Sequence, residues 1–439
     1  MKYKELDSDL YLRNRKKLTA RMENRSVAIV VSHDEMPDSG DETYPFHQNP
    51  NLFYLTGIDQ AKSMLLLCPQ HPDPAYREVL FLEQTNPTIA VWNGYKYTQE
   101  HARRVSGIAS IHWIEDFEAI LKTALFASDT VYLELDEEAR FSTEVETQKQ
   151  RFCRRMKEQF PLHAYRRLTP LLKDLRVRKE GLEIDQIQTA VDITAKAFDR
   201  VLRTLRPGMK EYEVEAELSY EFLKNGASGH AFMPIAASGK NSCVLHYVTN
   251  DRICQDGDVL LLDFGCRYAN YNSDISRTIP VNGVFSPRQR QVYEACHRIY
   301  TETKKHYRPG MTINKLNKIV HGQMEKELIG LGLFTEADVQ NNQGDALPLI
   351  RKYYMHNIGH FLGLDTHDAG DRDLLFEPGM VVTCEPGIYI AGEGIGVRIE
   401  TDMLVTESDP IDLGAAIPSE AEEIERRMAE HKQSNQHLH

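Results

Sequence analysis

The 439-residue chain has no run of 18 or more apolar residues, so its length pattern excludes a transmembrane helix. It also lacks a basic excess. Lys and Arg number 52 against 65 Asp and Glu, a formal net charge of −13, which argues against a general nucleic-acid binder. The seven cysteines are Cys68, Cys153, Cys243, Cys254, Cys266, Cys296 and Cys384. They are odd in number, scattered and without CxxC spacing, so buried free thiols are expected, not a disulfide framework or a zinc knuckle, and a reducing cytoplasm is the natural compartment. Residues 1–10 are charged and lack an apolar stretch, so no secretory signal is expected. Walker A and GxSxG sequences are absent. DFG at 263–265 copies a kinase triplet without a preceding HRD-type loop or a VAIK lysine, and GEGIG at 392–396 reads as a hairpin turn, so no nucleotide or other organic cofactor site is expected.

Apolar residues make up 41% of the chain, enough for sizeable cores, and 439 residues are too many for one ordinary domain. The charge is unevenly placed. Residues 1–180 carry 26 basic and 27 acidic side chains, net −1, and residues 181–439 carry 26 and 38, net −12. In the first part, short apolar runs at 26–31, 63–67, 78–82 and 131–135 read as buried strands, and 11–22 and 116–125 as helices. This alternation predicts an α/β domain ending before about residue 175. The basic stretch 173–179 (KDLRVRK) reads as a solvated linker into a long amphipathic helix over 183–205. The second part repeats RPGM, at 206–209 and 308–311, each copy between two predicted helices (183–205 and 211–223; 287–307 and 314–331) with strands further on. This pattern predicts an internal duplication, two half-domains facing each other across a cleft.

The chemistry-bearing residues lie in that second part. The apolar run 259–262 ends in Asp263, and Asp274 follows after a turn region in SDISRT. The run 380–384 ends in Glu385, and 397–399 leads to Glu400. An acid ending a buried strand is costly unless paired, hydrogen-bonded or bound to a cation, and four placed this way, two per half, point to a carboxylate site for divalent ions. MHNIGHFLGLDTHD at 355–368 supplies His356, His360 and His367. It is not an HExxH helix, and Gly359 and Gly363 make it read as a turn entering a strand. His246 is by default a core or surface histidine.

Taken together, Asp263, Asp274, His360, Glu385 and Glu400, in the contexts DFG, SDISRT, HFLGLDTHD, EPGIYI and RIE, resemble the five-ligand set of the dinuclear pita-bread metallopeptidases. Within that family the chain most resembles the Xaa-Pro aminopeptidases (aminopeptidase P), with prolidase a near relative. The resemblance covers roughly residues 180–428, including RPGM and IPSEAEEIE, and FHQNPNLFYLTG at 46–57 is similar to the aminopeptidase P N-terminal domain. Asn357 departs from the pattern, standing where relatives usually have Gly.

The resemblance implies an α/β N-terminal domain over 1–175 and an α+β pita-bread catalytic domain with pseudo-twofold duplication over 176–439. It implies two divalent ions per chain, Mn²⁺ first, with Co²⁺ or Zn²⁺ tolerated. Asp263 would hold one, Asp274 and Glu400 bridge both, and His360 with Glu385 complete the second. A bridging water deprotonated by the ions would attack the Xaa-Pro bond, with Glu385 moving the proton to the proline nitrogen. His246, His356, His367 and Arg398 would line the substrate cleft. The implied partners are peptides with proline second and further copies of the chain, as a dimer or tetramer, with neither nucleic acid nor membrane. Two alternatives stay open: a prolidase restricted to Xaa-Pro dipeptides, and a non-catalytic binding protein on the same scaffold.

Overall fold

The computed structural model describes residues 3–137, 143–342 and 348–436. The described residues divide into two compact units, residues 4–176 and residues from 177 onward, Tyr3 belonging with the latter. Among the described residues no helix is long and apolar enough to cross a membrane.

The N-terminal unit is built on strands β1 (Ser26–Val31), β2 (Met64–Leu67), β3 (Glu78–Leu82), β4 (Ser110–Trp113), β5 (Thr130–Leu133) and β6 (Ala164–Arg167). They form one mixed sheet in the order β4-β3-β2-β1-β5-β6. β1 and β2 are antiparallel, with Ala28 opposite Leu67, and β1 and β5 are parallel. Every residue of β1 is buried, which is why SVAIVV shows no polar alternation. Helices α1 (Phe117–Phe126) and α2 (Gln148–Gln159) lay Phe117, Leu121, Phe152 and Met156 against Val27, Ile29, Val31 and Phe81. The first helix, Ser8–Thr19, begins earlier than its apolar spacing predicts because Asp7 caps it, accepting the Asp9 N–H at 3.0 Å.

The second unit opens with α3 (Gly181–Thr204) and α4 (Glu211–Lys224). The buried residues Ile187, Ala190, Val191, Thr194, Ala197, Phe198 and Val201 draw one apolar stripe along α3. Strands β7 (Ile235–Ser238), β8 (Val259–Phe264) and β9 (Ile275–Pro280) follow as an antiparallel trio in that order. A second helix pair, α5 (Pro287–Lys304) and α6 (Ile313–Gly330), precedes β10 (Val381–Cys384), the hairpin of β11 (Gly387–Ile390) and β12 (Ile395–Arg398), and β13 (Thr401–Leu404), which pairs with β10.

The two RPGM copies are used identically. Gly208 and Gly310 both have positive φ, at 92° and 82°, which only glycine adopts without strain. The Gly208 N–H donates to the Cys254 carbonyl at 2.9 Å, and the Cys254 N–H returns to the Met209 carbonyl at 2.8 Å. In the second copy Gly310 donates to Phe376 at 3.0 Å, and Phe376 returns to Met311 at 2.7 Å. From Cys254 and from Phe376 the chain then runs in step: a positive-φ glycine three residues on (Gly257, Gly379), a buried strand starting five on (Val259, Val381), and an acid nine on (Asp263, Glu385). The duplication therefore extends through the acids, well beyond a four-residue phrase.

The stretch 173–179 is not a solvated linker. Residues 169–176 form a helix that buries Arg176, whose guanidinium donates to Asn51 Oδ1 at 2.7 Å. Lys179 pairs with Asp368 at 3.0 Å, both side chains only 1% exposed, while its N–H donates to the Gly379 carbonyl. A basic run looks solvated only while its acidic partner, here 189 positions later in the chain, is out of view. Removing one member of such a pair strands a buried charge. Lys179→Met is therefore expected to lower the unfolding free energy by about 3 kcal/mol in urea titration, and Lys179→Met with Asp368→Leu to recover most of that loss.

Candidate active site

Antiparallel pairing sets Asp263 of β8 opposite Ser276 of β9, and Asp274 immediately precedes β9. The next contact crosses from one half to the other. The Glu400 N–H donates to the Ser276 carbonyl at 3.0 Å, and the buried Arg277 guanidinium donates to the carbonyls of Ser276, Glu400, Ile417 and Pro418 at 2.7–3.0 Å. Arg277 thus ties the Glu400 backbone to β9 and to the segment leading into the C-terminal helix.

The histidine segment lies beside β10. The Glu385 N–H donates to the Ile358 carbonyl, the Thr383 N–H to His360, and the Leu362 N–H to Val381. A full strand does not form, contrary to the sequence expectation, and only Phe361 and Val382 make a bridge. The reason is local. The His360 N–H is taken by the Thr383 hydroxyl at 3.1 Å, not by a ladder carbonyl, and at Gly359 a Cβ would overlap the Thr383 carbonyl. Asn272 fastens the far end of this segment to the turn before Asp274, its side-chain amide donating to the carbonyls of Gly363 and Leu364, each at 3.1 Å.

Asp274, His360 and Glu400 converge, each offering an atom within 4.8 Å of the others. His360 Nδ1–H donates to the Phe361 carbonyl at 3.1 Å, which orients the ring so that Nε2 faces Asp274 Oδ2, 3.4 Å away, and Glu385 Oε1, 4.0 Å away. Glu385 also lies 3.6 Å from His356 Nδ1. Asp263 stands at the edge of this group. One carboxylate oxygen accepts from Arg398 Nη2 at 2.7 Å, and the other is buried without a hydrogen-bond partner.

His356 and Arg398 meet through a residue the sequence reasoning missed. Arg398 Nη1 donates to the Tyr389 hydroxyl at 3.1 Å, and that hydroxyl donates to His356 Nε2 at 2.8 Å, while His356 Nδ1–H goes to the Asn357 carbonyl at 2.8 Å. The relay requires a neutral imidazole. Burial, with the charge of Arg398 beside it, lowers the His356 pKa to about 3. Burial also opposes the Arg398 charge, but Tyr389, Asp263 and Glu400 outweigh it and hold the guanidinium protonated. His367 is exposed and packs its ring edge-on to His360, with centroids 4.2 Å apart. His246 is exposed too, on the segment after β7, near enough for its charge to be felt at His356.

Two further participants were overlooked. Ser276 Oγ donates to Glu400 Oε2 at 2.7 Å and accepts from Arg398 Nε at 2.8 Å. Asp402, fully buried, accepts the Asp274 N–H at 3.1 Å. Ser276 lay within SDISRT and Asp402 just past RIE, each two residues after an acid, Asp274 or Glu400, where period-two alternation returns a side chain to the same face. The acids titrate abnormally. Burial first, then the charges of Glu400 and Asp263, raises Asp274 far above the carboxylate range. Glu400 is pushed up to about 8, chiefly by burial and by Asp263, against the opposing pull of Arg398, Ser276 and Arg277. Asp402 is raised by burial.

The pattern of Metallopeptidase family M24 matches residues 185–407, and that of the aminopeptidase P N-terminal domain matches residues 11–132. The chain is 33% identical to the Xaa-Pro aminopeptidase of Escherichia coli K12 over 97% of its own length and 98% of that protein. Among solved structures it resembles the aminopeptidase PepP of Pseudomonas aeruginosa, with a TM-score of 0.88, 33% identity and coverage of 98% and 99% of the two chains. It also resembles zinc-substituted E. coli aminopeptidase P in complex with product, with a TM-score of 0.86, 32% identity and coverage of 98% and 99%. Its two units are thus an aminopeptidase P N-terminal domain and a pita-bread catalytic domain. A match across half the chain to one family, and identity along nearly all of it to a protein of that family, give the buried carboxylates and histidine their context: the chain belongs to metallopeptidase family M24.

Proposed function

We propose that this protein is a metal-dependent Xaa-Pro aminopeptidase, removing the N-terminal residue of peptides whose second residue is proline. The observation that carries this reading is the convergence of Asp274, His360 and Glu400 within 4.8 Å, in a metallopeptidase similar along its length to an Xaa-Pro aminopeptidase. Residues 1–175 would be the N-terminal domain and 176–439 the catalytic domain.

The donor set fits divalent metal. Asp274 and Glu400 are buried together with pKa values raised by burial and by each other's neighbours, a state that a bound cation relieves. Asp263 keeps a buried oxygen without a partner, and His360 turns Nε2 toward the carboxylates of Asp274 and Glu385. Asp263, Asp274, His360, Glu385 and Glu400 are the residues we assign to the ions, two of which they would hold. Mn²⁺ is our first choice because four of the five ligands are carboxylates, and Co²⁺ or Zn²⁺ are the competitors. When bound, the ions supply Lewis acidity, lowering the pKa of a water and polarising a carbonyl.

The remaining work falls to the chain. Proline's nitrogen has no N–H before cleavage and must gain a proton to leave, and Glu385, 3.6 Å from His356 and 4.0 Å from His360, is the group we assign to carry it. Arg398, Tyr389 and His356 form a relay whose donors are held in place before substrate arrives, suited to orienting a peptide carbonyl. His367 and His246 are the exposed histidines we assign to the walls of the substrate cleft. We further assign the protein to the cytoplasm as a homodimer or homotetramer, which its size in solution tests.

Hydrolysis of an Xaa-Pro-Xaa tripeptide by the metal-loaded protein tests the activity, and cleavage of an Xaa-Pro dipeptide alone would make it a prolidase. Asp274→Ala and Glu400→Ala are each expected to lose bound metal by elemental analysis and to lower kcat/KM for the tripeptide at least about a thousandfold, the several kcal/mol that metal activation supplies. Full activity in metal-free Asp274→Ala protein would refute the reading.

A second expectation concerns pH. Without metal, the folded-state pKa values of Asp274 and Glu400 lie above their unfolded values, so their contribution is most favourable at low pH and is lost as pH rises through about 8. His356, with its folded pKa near 3, destabilises only below about 6.5. Chelator-treated protein should therefore have a lower Tm at pH 8 than at pH 6.5. Saturating Mn²⁺ should abolish that slope, because ions bind the deprotonated cluster and expel its protons. An unchanged slope on adding metal would contradict the assignment.

A further inference from the structure

Glu211 is the first residue of α4 and fully buried, yet it touches no candidate metal ligand. Its carboxylate collects five donors. Oε1 accepts from the Ser238 N–H and hydroxyl, both at 2.7 Å, and from Asn241 Nδ2 at 3.3 Å. Oε2 accepts from the Tyr247 hydroxyl at 2.7 Å and the Arg252 N–H at 2.9 Å. The Glu211 N–H in turn donates to the Arg252 carbonyl at 3.0 Å. One side chain therefore grips both ends and the middle of the irregular segment 238–252.

That segment carries His246. Cys243, Leu245 and Tyr247 pack inward against Ile235, Ala237, Leu261 and Tyr389, while the alternate residues Val244, His246 and Val248 face outward. Tyr389 is the hydroxyl between Arg398 and His356. Ser242 adds a second anchor, its hydroxyl accepting the Gly396 N–H at 2.8 Å from the strand that ends in Arg398. Fixing Tyr247 from behind thus sets where His246 stands relative to the Arg398–Tyr389–His356 relay.

We infer that Glu211 is a positioning residue that holds the 238–252 segment so that His246 faces the substrate cleft. The inference rests on the cleft role assigned to His246 above. Glu211→Gln is a sharp probe because the Ser238 and Arg252 amides are obligate donors, one on each carboxylate oxygen, so the glutamine NH₂ must oppose one of them in either orientation.

The test uses the full-length Mn²⁺-loaded protein, an Xaa-Pro-Xaa tripeptide, and the variants Glu211→Gln, His246→Ala and their combination, with hydrogen exchange read over 238–252. Glu211→Gln is expected to lower kcat about tenfold or more, change KM less than about threefold and retain its metal, since misplacing a group by about 1 Å costs up to about a hundredfold. The double variant should be no slower than His246→Ala, because the two act as one unit. Amide exchange over 238–252 should speed up about tenfold in Glu211→Gln and stay unchanged over 259–264. Tyr247→Phe removes a single donor and should show the same pattern at a few-fold. Losses that multiply in the double variant, wild-type kinetics in Glu211→Gln, or unaltered exchange over 238–252 would each overturn the inference and leave the reading of the metal site standing. Wild-type kinetics in His246→Ala would remove the cleft role of His246 and the inference with it.

Discussion

The catalytic unit is organised around an electrostatic cost, the packing of carboxylates from both halves into one buried place. Asp274, Glu400 and Asp402 are 4%, 2% and 0% exposed. In water such groups would repel weakly, but away from it each must be protonated, hydrogen-bonded or neutralised. The chain meets part of this requirement itself. Arg398 spends its guanidinium on Asp263, Ser276 and Tyr389, Ser276 donates to Glu400, and the Asp274 N–H is held by Asp402. Arg398, even with Arg277 acting on Glu400, cannot balance this many acids, and the raised pKa values of Asp274, Glu400 and Asp402 express the remainder. Folding these residues together leaves a standing preference for added positive charge.

The duplication explains how such a place arises. Each half delivers an acid nine residues after its RPGM-bonded residue, from a strand buried on both sides, and the halves are sewn together by the Arg277 guanidinium and the Glu400–Ser276 backbone bond. The repeat preserves this framework but not the chemistry. His356, His360 and His367 come only from the segment beside β10, while the corresponding approach in the first half is the 238–252 segment with its single His246. A symmetric scaffold thus supports an asymmetric set of groups, as a reaction needs if one face is to hold an acceptor and the other a donor.

Much of this was legible in the sequence, for a definite reason. A carboxylate at the end of VLLL or VVTC is expensive, so Asp263 and Glu385 announced themselves by being out of place, and Asp274 and Glu400 followed by context. Tyr389 did not, because in GIYI it looks like one more buried aromatic, and only its hydroxyl, set between His356 and Arg398, distinguishes it. Ser276 and Asp402 were signalled only by their alternation with Asp274 and Glu400, and Lys179 was hidden by distance, since a buried ion pair is invisible until both members are placed. The histidine segment misled in the other direction. Gly359 and Gly363 suggested a turn entering a strand, but the Thr383 hydroxyl takes the N–H that a strand would have given to a carbonyl.

The irregular segments around the site share a further property. Ladder bonds hold them only in part, and each is also fixed by a buried side chain that bonds to backbone atoms at several points: Asn272 to the carbonyls of Gly363 and Leu364, Arg277 to four carbonyls, and Glu211 to both ends of 238–252. Lys179 adds to this set by pairing with Asp368, the residue after His367. A ladder fixes a strand by repetition, whereas a hub concentrates several of a loop's bonds on one residue. The accuracy of the site therefore depends on residues several ångströms behind the groups that do chemistry, whose loss displaces those groups without removing them.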